Sequence, residues 1–144
     1  MVKILFICHG NICRSPMAEF VMKDMVKKAG LQQQFHIESA ATSREEIGNS
    51  VYPPARRILQ KHGICCEGKR ARQVTKHDLE YFDEILLMDH HNMVNMNRMF
   101  SPSQMHKVRM FLDKDVADPW YSGNFEQTMK DVQLGCELLL QKYL

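Results

Sequence analysis

Two kinds of apolar spacing alternate along this chain. Short unbroken apolar runs are followed by longer stretches in which apolar residues recur every three or four positions. The first run, Ile4–Ile7 within VKILFIC, reads as a buried parallel strand. Five loop residues follow Cys8, and Arg14-Ser15-Pro16 opens a helix over Pro16–Lys28, where a proline is tolerated in the first turn. Met17, Phe20, Val21 and Met25 fall near one face of that helix, Lys23, Asp24 and Lys27 on the other, and Gly30 ends it. Phe35–Ala40 is a second short strand, Thr42–Pro54 a polar loop, and Ala55–His62 a helix stopped by Gly63. Lys69–Gln73 is a basic connector, and Thr75 suits the N-cap of a short helix through Tyr81. Glu84–Met88 is a third strand, Asp89–Phe100 a helix starting at its end, and Lys107–Leu112 a fourth strand. A loop over Asp113–Asn124 leads to an amphipathic helix, Phe125–Leu144, with Leu134, Leu138 and Leu139 on one face.

Strand and helix in alternation imply an α/β fold, a four-stranded parallel sheet flanked by helices. At 144 residues the chain fits one domain, 1–144, with no repeat or linker. A net charge of +2 without a basic run argues against nucleic acid, and no apolar run approaches membrane-spanning length. Five cysteines is an odd number, and no signal-peptide pattern precedes the first strand, so the chain reads as cytoplasmic. The eleven methionines, scattered over helices, read as core filler.

The chemistry concentrates where the first strand ends. Open α/β sheets bind ligands at the carboxyl ends of their strands, and Cys8 stands there. Loop amides, with Gly10 expected to supply a positive φ, can converge into an anion-binding nest beside a helix N-terminus. Arg14 adds a planar fork suited to bidentate phosphate contact, and a thiol in such a field is expected as thiolate. A bare C-x5-R occurs often by chance; the preceding strand, the internal Gly-Asn and the following Ser-Pro make this one specific. Such a nucleophile needs a proton donor for its leaving group. Asp118 in VADPWYSG lies on a loop after the last strand, at the same edge as Cys8. Its residues alone read equally as a turn-initiating Asp before proline. Asp113 and Asp115 are the weaker competitors, and Trp120 and Tyr121 can wall a slot for an aromatic ring.

The string CHGNICRSP resembles the phosphate loop of the low-molecular-weight protein tyrosine phosphatases. The resemblance continues through ESAATS, ARQVTK, the Met88-Asp89 pair and DPWY, and EEIGN and VYPPA resemble the bacterial branch. It implies a flavodoxin-like fold and metal-independent, cofactor-free hydrolysis of phosphotyrosine in proteins or of small aryl phosphates. Cys8 would be the nucleophile, Arg14 the phosphate clamp and Asp118 the general acid and base. His9, Gly10, Asn11, Ile12, Cys13, Ser15, Trp120 and Tyr121 would bind substrate. Ser39 would buttress Asn11, Ser15 would donate to the Cys8 sulfur, and Arg72 and Asp89 would form a structural pair. Cys13 would trap oxidised Cys8 as a reversible disulfide, whereas Cys65 and Cys66, being adjacent, read as structural. His62, His77, His90, His91 and His106 show no metal-ligand spacing and read as surface residues.

The chain departs from the eukaryotic pattern after AATS, where Ser43-Arg44-Glu45-Glu46 stands in place of an aromatic rim residue, and Glu67-Gly68-Lys69 stands where some members carry a histidine. Three other chemistries suit such a loop. Protein-arginine phosphatases tend to carry threonine where this loop has Ile12, and arsenate reductases relay oxidation through a cysteine pair further along than Cys65-Cys66. A phosphocysteine carrier has no use for the acid at Asp118.

Overall fold

A computed structural model describes Met1–Leu144. Four strands, β1 (Val2–Cys8), β2 (Phe35–Ala41), β3 (Glu84–Leu87) and β4 (Val108–Met110), form one parallel sheet in the order β2-β1-β3-β4. The helices are α1 (Arg14–Lys28), α2 (Pro53–Lys61), α3 (Lys76–Tyr81), α4 (His90–Met99), α5 (Pro119–Ser122) and α6 (Phe125–Gln141). The α/β architecture and four parallel strands expected from the alternation are therefore present. The stretch read as a loop over Asp113–Asn124 contains the short helix α5, capped by Asp118. No helix is long and apolar enough to cross a membrane.

Side chains alternate across a strand, and β1 shows why its apolar run is unbroken. Ile4, Phe6 and Cys8 face the core that includes α1, α2 and α6; Leu5 and Ile7 face the core that includes Leu79 of α3 and Met96 of α4. Central β1 pairs with β2 on one side and β3 on the other, so its last residue, Cys8, is held in register with Ala41. The capping boxes Thr75/Asp78 and Asp89/Asn92 fix the starts of α3 and α4. Asp89 thereby joins the strand-end edge where Cys8 emerges.

The buried face of α1 includes Met17, Val21, Met22 and Val26, with Phe20 and Met25 only partly covered. On α6 the predicted leucine stripe is corrected. Leu139 is buried, but Leu134 and Leu138 are about half exposed, and the core face carries Met129, Val132, Gly135 and Cys136. Gly135 is what sets this rotation. A Cβ there would lie 2.6 Å from Cε2 and 2.7 Å from Cε1 of Phe111, whose ring packs edge-on to Phe6 at 5.3 Å. Gly135→Ala is expected to destabilise the fold by about 1–3 kcal/mol through overpacking, despite alanine's better helix propensity. Denaturant titration of parent and variant measures this directly.

Candidate active site

β1 delivers Cys8 to the carboxyl edge, and the chain then turns back sharply to start α1 at Arg14. The turn requires one left-handed residue. Gly10 does not supply it; Asn11 does, with φ 61°, the only non-glycine residue in that region. Asparagine tolerates this conformation better than other side chains, and its own amide holds it there. Asn11 Nδ2 donates to Ser15 Oγ at 2.7 Å and to Ser39 Oγ at 2.9 Å, while its Oδ1 accepts the Arg72 backbone N–H at 3.2 Å. The turn aims the Asn11 backbone N–H at Cys8 Sγ, 3.3 Å away, and Ser15 Oγ lies 3.0 Å from the same sulfur. Two polar hydrogens are therefore available to stabilise charge on sulfur.

Arg14 is 2% exposed. Its Nη1 donates to Asp89 Oδ2 at 2.6 Å and to the Val116 carbonyl at 2.8 Å, and its Nη2 reaches Asp118 Oδ2 at 3.4 Å. Burial opposes the guanidinium charge, but Cys8, Asp89 and Asp118 outweigh it and raise the Arg14 pKa above its ordinary value. Asp118 is itself oriented by the N–H of Trp120, which donates to Oδ1 at 3.0 Å. Trp120 is braced in turn by Tyr52, ring centroids 4.7 Å apart, and Tyr52 stacks on Phe125 at 6.0 Å.

One cleft gathers most of the residues expected from sequence. Cys8, His9, Gly10, Ile12, Cys13, Arg14, Asp118, Trp120 and Tyr121 all line it. Asn11, Ser15 and Ser39 do not; their side chains are buried behind the loop, from where the Asn11 backbone N–H and the Ser15 hydroxyl reach the sulfur. Glu45 and Glu46 form the opposite lip, where the eukaryotic aromatic is missing. Glu45 contacts His9 Nε2 at 3.0 Å, and the Ser43 hydroxyl and N–H both donate to the His9 carbonyl, so this lip is tied to the phosphate loop.

The two cysteines in the loop differ. Burial, and then the Cys8 and Asp118 charges, push the Cys13 thiol far above its ordinary pKa, so it is a neutral thiol at pH 7. Both are free thiols, as are Cys65, Cys66 and Cys136. No group of three or more His, Cys, Asp or Glu side chains is placed to hold a metal ion, and the five histidines read as surface residues are exposed.

The expected Arg72–Asp89 pair does not form. Asp89 instead anchors Arg14, and Arg72 grips Asp78 through two bonds of 2.8 and 3.0 Å and Glu38 at 3.2 Å. Asp89 was thus assigned the wrong partner, because the pairing depends on how β3 and β1 align. Glu19 was missed altogether, although an acid on the apolar face of α1 is a visible anomaly. Tyr52, the support of Trp120, left no signal beyond being an aromatic before Pro53-Pro54.

The family model for low molecular weight phosphotyrosine protein phosphatase matches residues 3–143. The low molecular weight protein-tyrosine-phosphatase YfkJ of Bacillus subtilis is 39% identical over 147 residues, spanning 97% of this chain and 94% of that protein. Its crystal structure superposes with a TM-score of 0.95, covering 99% of this chain and 94% of that one at 38% identity. The low molecular weight protein tyrosine phosphatase SP-PTP of Streptococcus pyogenes superposes at 0.93 with 39% identity, covering 100% and 94% of the two chains. An arginine phosphatase of Drosophila superposes at 0.89 with 29% identity, covering 99% and 98%. With sequence, fold and phosphate loop in agreement, the chain belongs to the low molecular weight phosphotyrosine protein phosphatases, which are phosphoric monoester hydrolases.

The Arg72 cluster makes a pH prediction. Burial alone would raise the Asp78 carboxyl, but bonds from Arg72 and from Thr75 outweigh it and hold its pKa below 3.8; Glu38, against the same burial, is held below 4.5 by its hydrogen bond to His36 and then by Arg72. Groups lowered in the folded state stabilise it fully above their unfolded values and lose that contribution as pH falls through the folded ones. Arg72→Ala is therefore expected to destabilise the parent at pH 6–7 and progressively less below about pH 4. Urea midpoints of the two proteins across pH 3–7 measure the convergence.

Proposed function

We propose that this chain, acting as one catalytic domain over residues 1–144, hydrolyses phosphotyrosine in proteins and small aryl phosphates through a cysteinyl-phosphate. The observation that carries the reading is that Cys8 Sγ, the anchored Arg14 guanidinium and Asp118 face one cleft with an aromatic wall. In the first step the Cys8 thiolate attacks phosphorus in line, forming an S–P bond. The P–O bond to the leaving phenol breaks, and Asp118 gives that oxygen its proton. Arg14 and the loop N–H groups hold the equatorial oxygens as charge develops there. In the second step water attacks phosphorus and Asp118 takes its proton. The S–P bond then breaks, releasing inorganic phosphate and restoring the thiolate.

Asp89 and Val116 fix Arg14 before substrate arrives, so little reorganisation is left for the transition state. Arg14 and the amides supply the positive charge, and no step calls on a metal or cofactor. The leaving aromatic ring lies against Trp120, with Tyr121, 85% exposed, at the outer lip. Five free cysteines suit a reducing cytoplasm, and neither nucleic acid nor a membrane enters the reaction. A carrier that only holds phosphate has no role for the carboxyl at Asp118, and Cys65 and Cys66 lie outside the cleft.

A phosphoarginine substrate is the second reading, favoured by the likeness to the Drosophila arginine phosphatase and by acids at the lip that suit a guanidinium. Ile12 and Trp120 in the wall favour a ring over a guanidinium. Matched peptides carrying one or the other phosphoryl group are expected to give a higher kcat/KM for phosphotyrosine; the reverse order would select the second reading.

With chelator present and an aryl phosphate as substrate, Cys8→Ser is expected to abolish turnover. Asp118→Ala is expected to lower kcat by roughly 10²–10⁴, the usual weight of general acid–base catalysis. Unchanged rates for either variant would contradict the roles assigned.

A further inference from the structure

The catalytic cleft has aromatic side chains on one side only. Trp120 and Tyr121 stand on α5, and the facing lip is Glu45 and Glu46. Tyr121 is 85% exposed, so Trp120 is the aromatic face left for a bound ring. Its own element holds it poorly. Helix α5 is only four residues long, and Trp120 is 51% exposed. A second open groove, of about 350 Å³, shares Trp120, Ile12 and Glu46 with the cleft but does not reach Cys8. An indole without a prop has room to swing into that groove.

Tyr52 is the prop. Its ring borders the groove and packs on the indole, with centroids 4.7 Å apart and planes tilted by 49°, within the range of a favourable aromatic pair. The Phe125 ring backs Tyr52 at 6.0 Å and 30° from parallel, so the rings continue from the cleft to the first residue of α6. Tyr52 also packs on the small cluster of Ile12, Cys13 and Ala71, which includes two residues of the phosphate loop. Its backbone is pinned on both sides. The N–H donates to the Ile12 carbonyl at 2.9 Å, and the carbonyl accepts the Arg56 N–H at 3.0 Å. A residue before proline is kept out of the helical region, and Tyr52 before Pro53 is extended, with φ −57° and ψ 135°. A ring fixed to the phosphate loop thus sets where the Trp120 face stands relative to that loop.

We propose that Tyr52 is a specificity-determining positioning residue, which holds the Trp120 indole ready for the aromatic ring of the substrate and touches no reacting atom. This rests on Cys8 and Arg14 receiving the phosphoryl group as proposed above. Pre-ordering matters because an exposed side chain that becomes fixed only on binding loses rotamer freedom at the expense of affinity. The contribution of Tyr52 therefore goes to ligands that carry a ring. The phosphoryl group itself meets Arg14 and the loop N–H groups, so ligands without a ring do not draw on the prop.

The test is competitive inhibition of aryl phosphate hydrolysis by benzylphosphonate and by methylphosphonate, one with a ring and one without, measured on the full chain. Both bind without reacting, so the comparison does not depend on which chemical step limits turnover. Tyr52→Leu is expected to weaken benzylphosphonate about three- to tenfold, the weight of one aromatic contact, and methylphosphonate by less than about twofold. Tyr52→Phe keeps the ring and is expected to match the parent with both. Trp120 is the only tryptophan in the chain, so its fluorescence reports on the prop itself. Tyr52→Leu is expected to open the indole to acrylamide quenching and to move its emission to longer wavelength, and Tyr52→Phe to do neither. Because Tyr52 acts through the indole, adding Tyr52→Leu to Trp120→Leu is expected to lose no further affinity for benzylphosphonate. Equal weakening of both inhibitors, parental benzylphosphonate affinity or parental quenching in Tyr52→Leu, or additive losses in the double variant would overturn the proposal. If Tyr52→Leu does not fold, Phe125→Leu, which removes the ring behind Tyr52, decides the matter with the same two inhibitors. Aryl phosphate turnover that is absent from the parent, or that survives Cys8→Ser, would overturn the phosphatase reading itself. Cys8-dependent turnover with no ring-selective loss in the variants would overturn this proposal alone.

Discussion

A buried guanidinium organises this molecule. Burying an unpaired charge is prohibitively costly, so Arg14 at 2% exposure demands partners from every element near it. It takes the Asp89 carboxylate at the start of α4, the Val116 carbonyl on the loop after β4, and Asp118 at the start of α5. Those three contacts come from segments 75 to 104 residues away in sequence. They fix the loops at the carboxyl edge of the sheet around the end of β1. The guanidinium is thus positioned by folding, and the cost of burying it is met by the same acids that aim it.

Asn11 answers the corresponding problem on the other side of the loop. Reversing the chain between Cys8 and Arg14 needs one left-handed residue, and an asparagine whose amide makes three hydrogen bonds holds that shape. The bonds run inward, away from the cleft, which leaves the loop's amides free for an anion. Between them, Arg14 and Asn11 separate the two tasks of the site. In the proposed mechanism one presents positive charge to phosphate, and the other conditions the sulfur through Ser15.

Most of the sheet was legible because parallel strands buried on both faces leave unbroken apolar runs, as in Ile4–Ile7. The cleft residues were legible for a local reason. Cys8 through Arg14 are contiguous, and Asp118-Pro119-Trp120 is a compact motif at the same edge. What the sequence hid was long-range pairing and handedness. Gly10 is the natural choice for a positive φ, yet the hydrogen bonds available to Asn11 moved the turn by one residue. Asp89 could be paired with either arginine until β3 was set beside β1. On α6, helical periodicity offered Leu134 and Leu138 as a core stripe, but the Phe111 ring requires a glycine at 135 and turns that stripe outward.

The central claim is that phosphate passes through the Cys8 sulfur, and a chemical trap reads it most directly. The enzyme is mixed with an aryl phosphate and acid-quenched within its first turnover. The digest is then mapped by mass spectrometry, with phosphorus NMR of the denatured protein to identify the bond. The account requires an S-phosphoryl group on the peptide carrying Cys8, absent when substrate is omitted. Phosphate found on another residue, or turnover that labels none and inverts configuration at a chiral phosphorus centre, would contradict it.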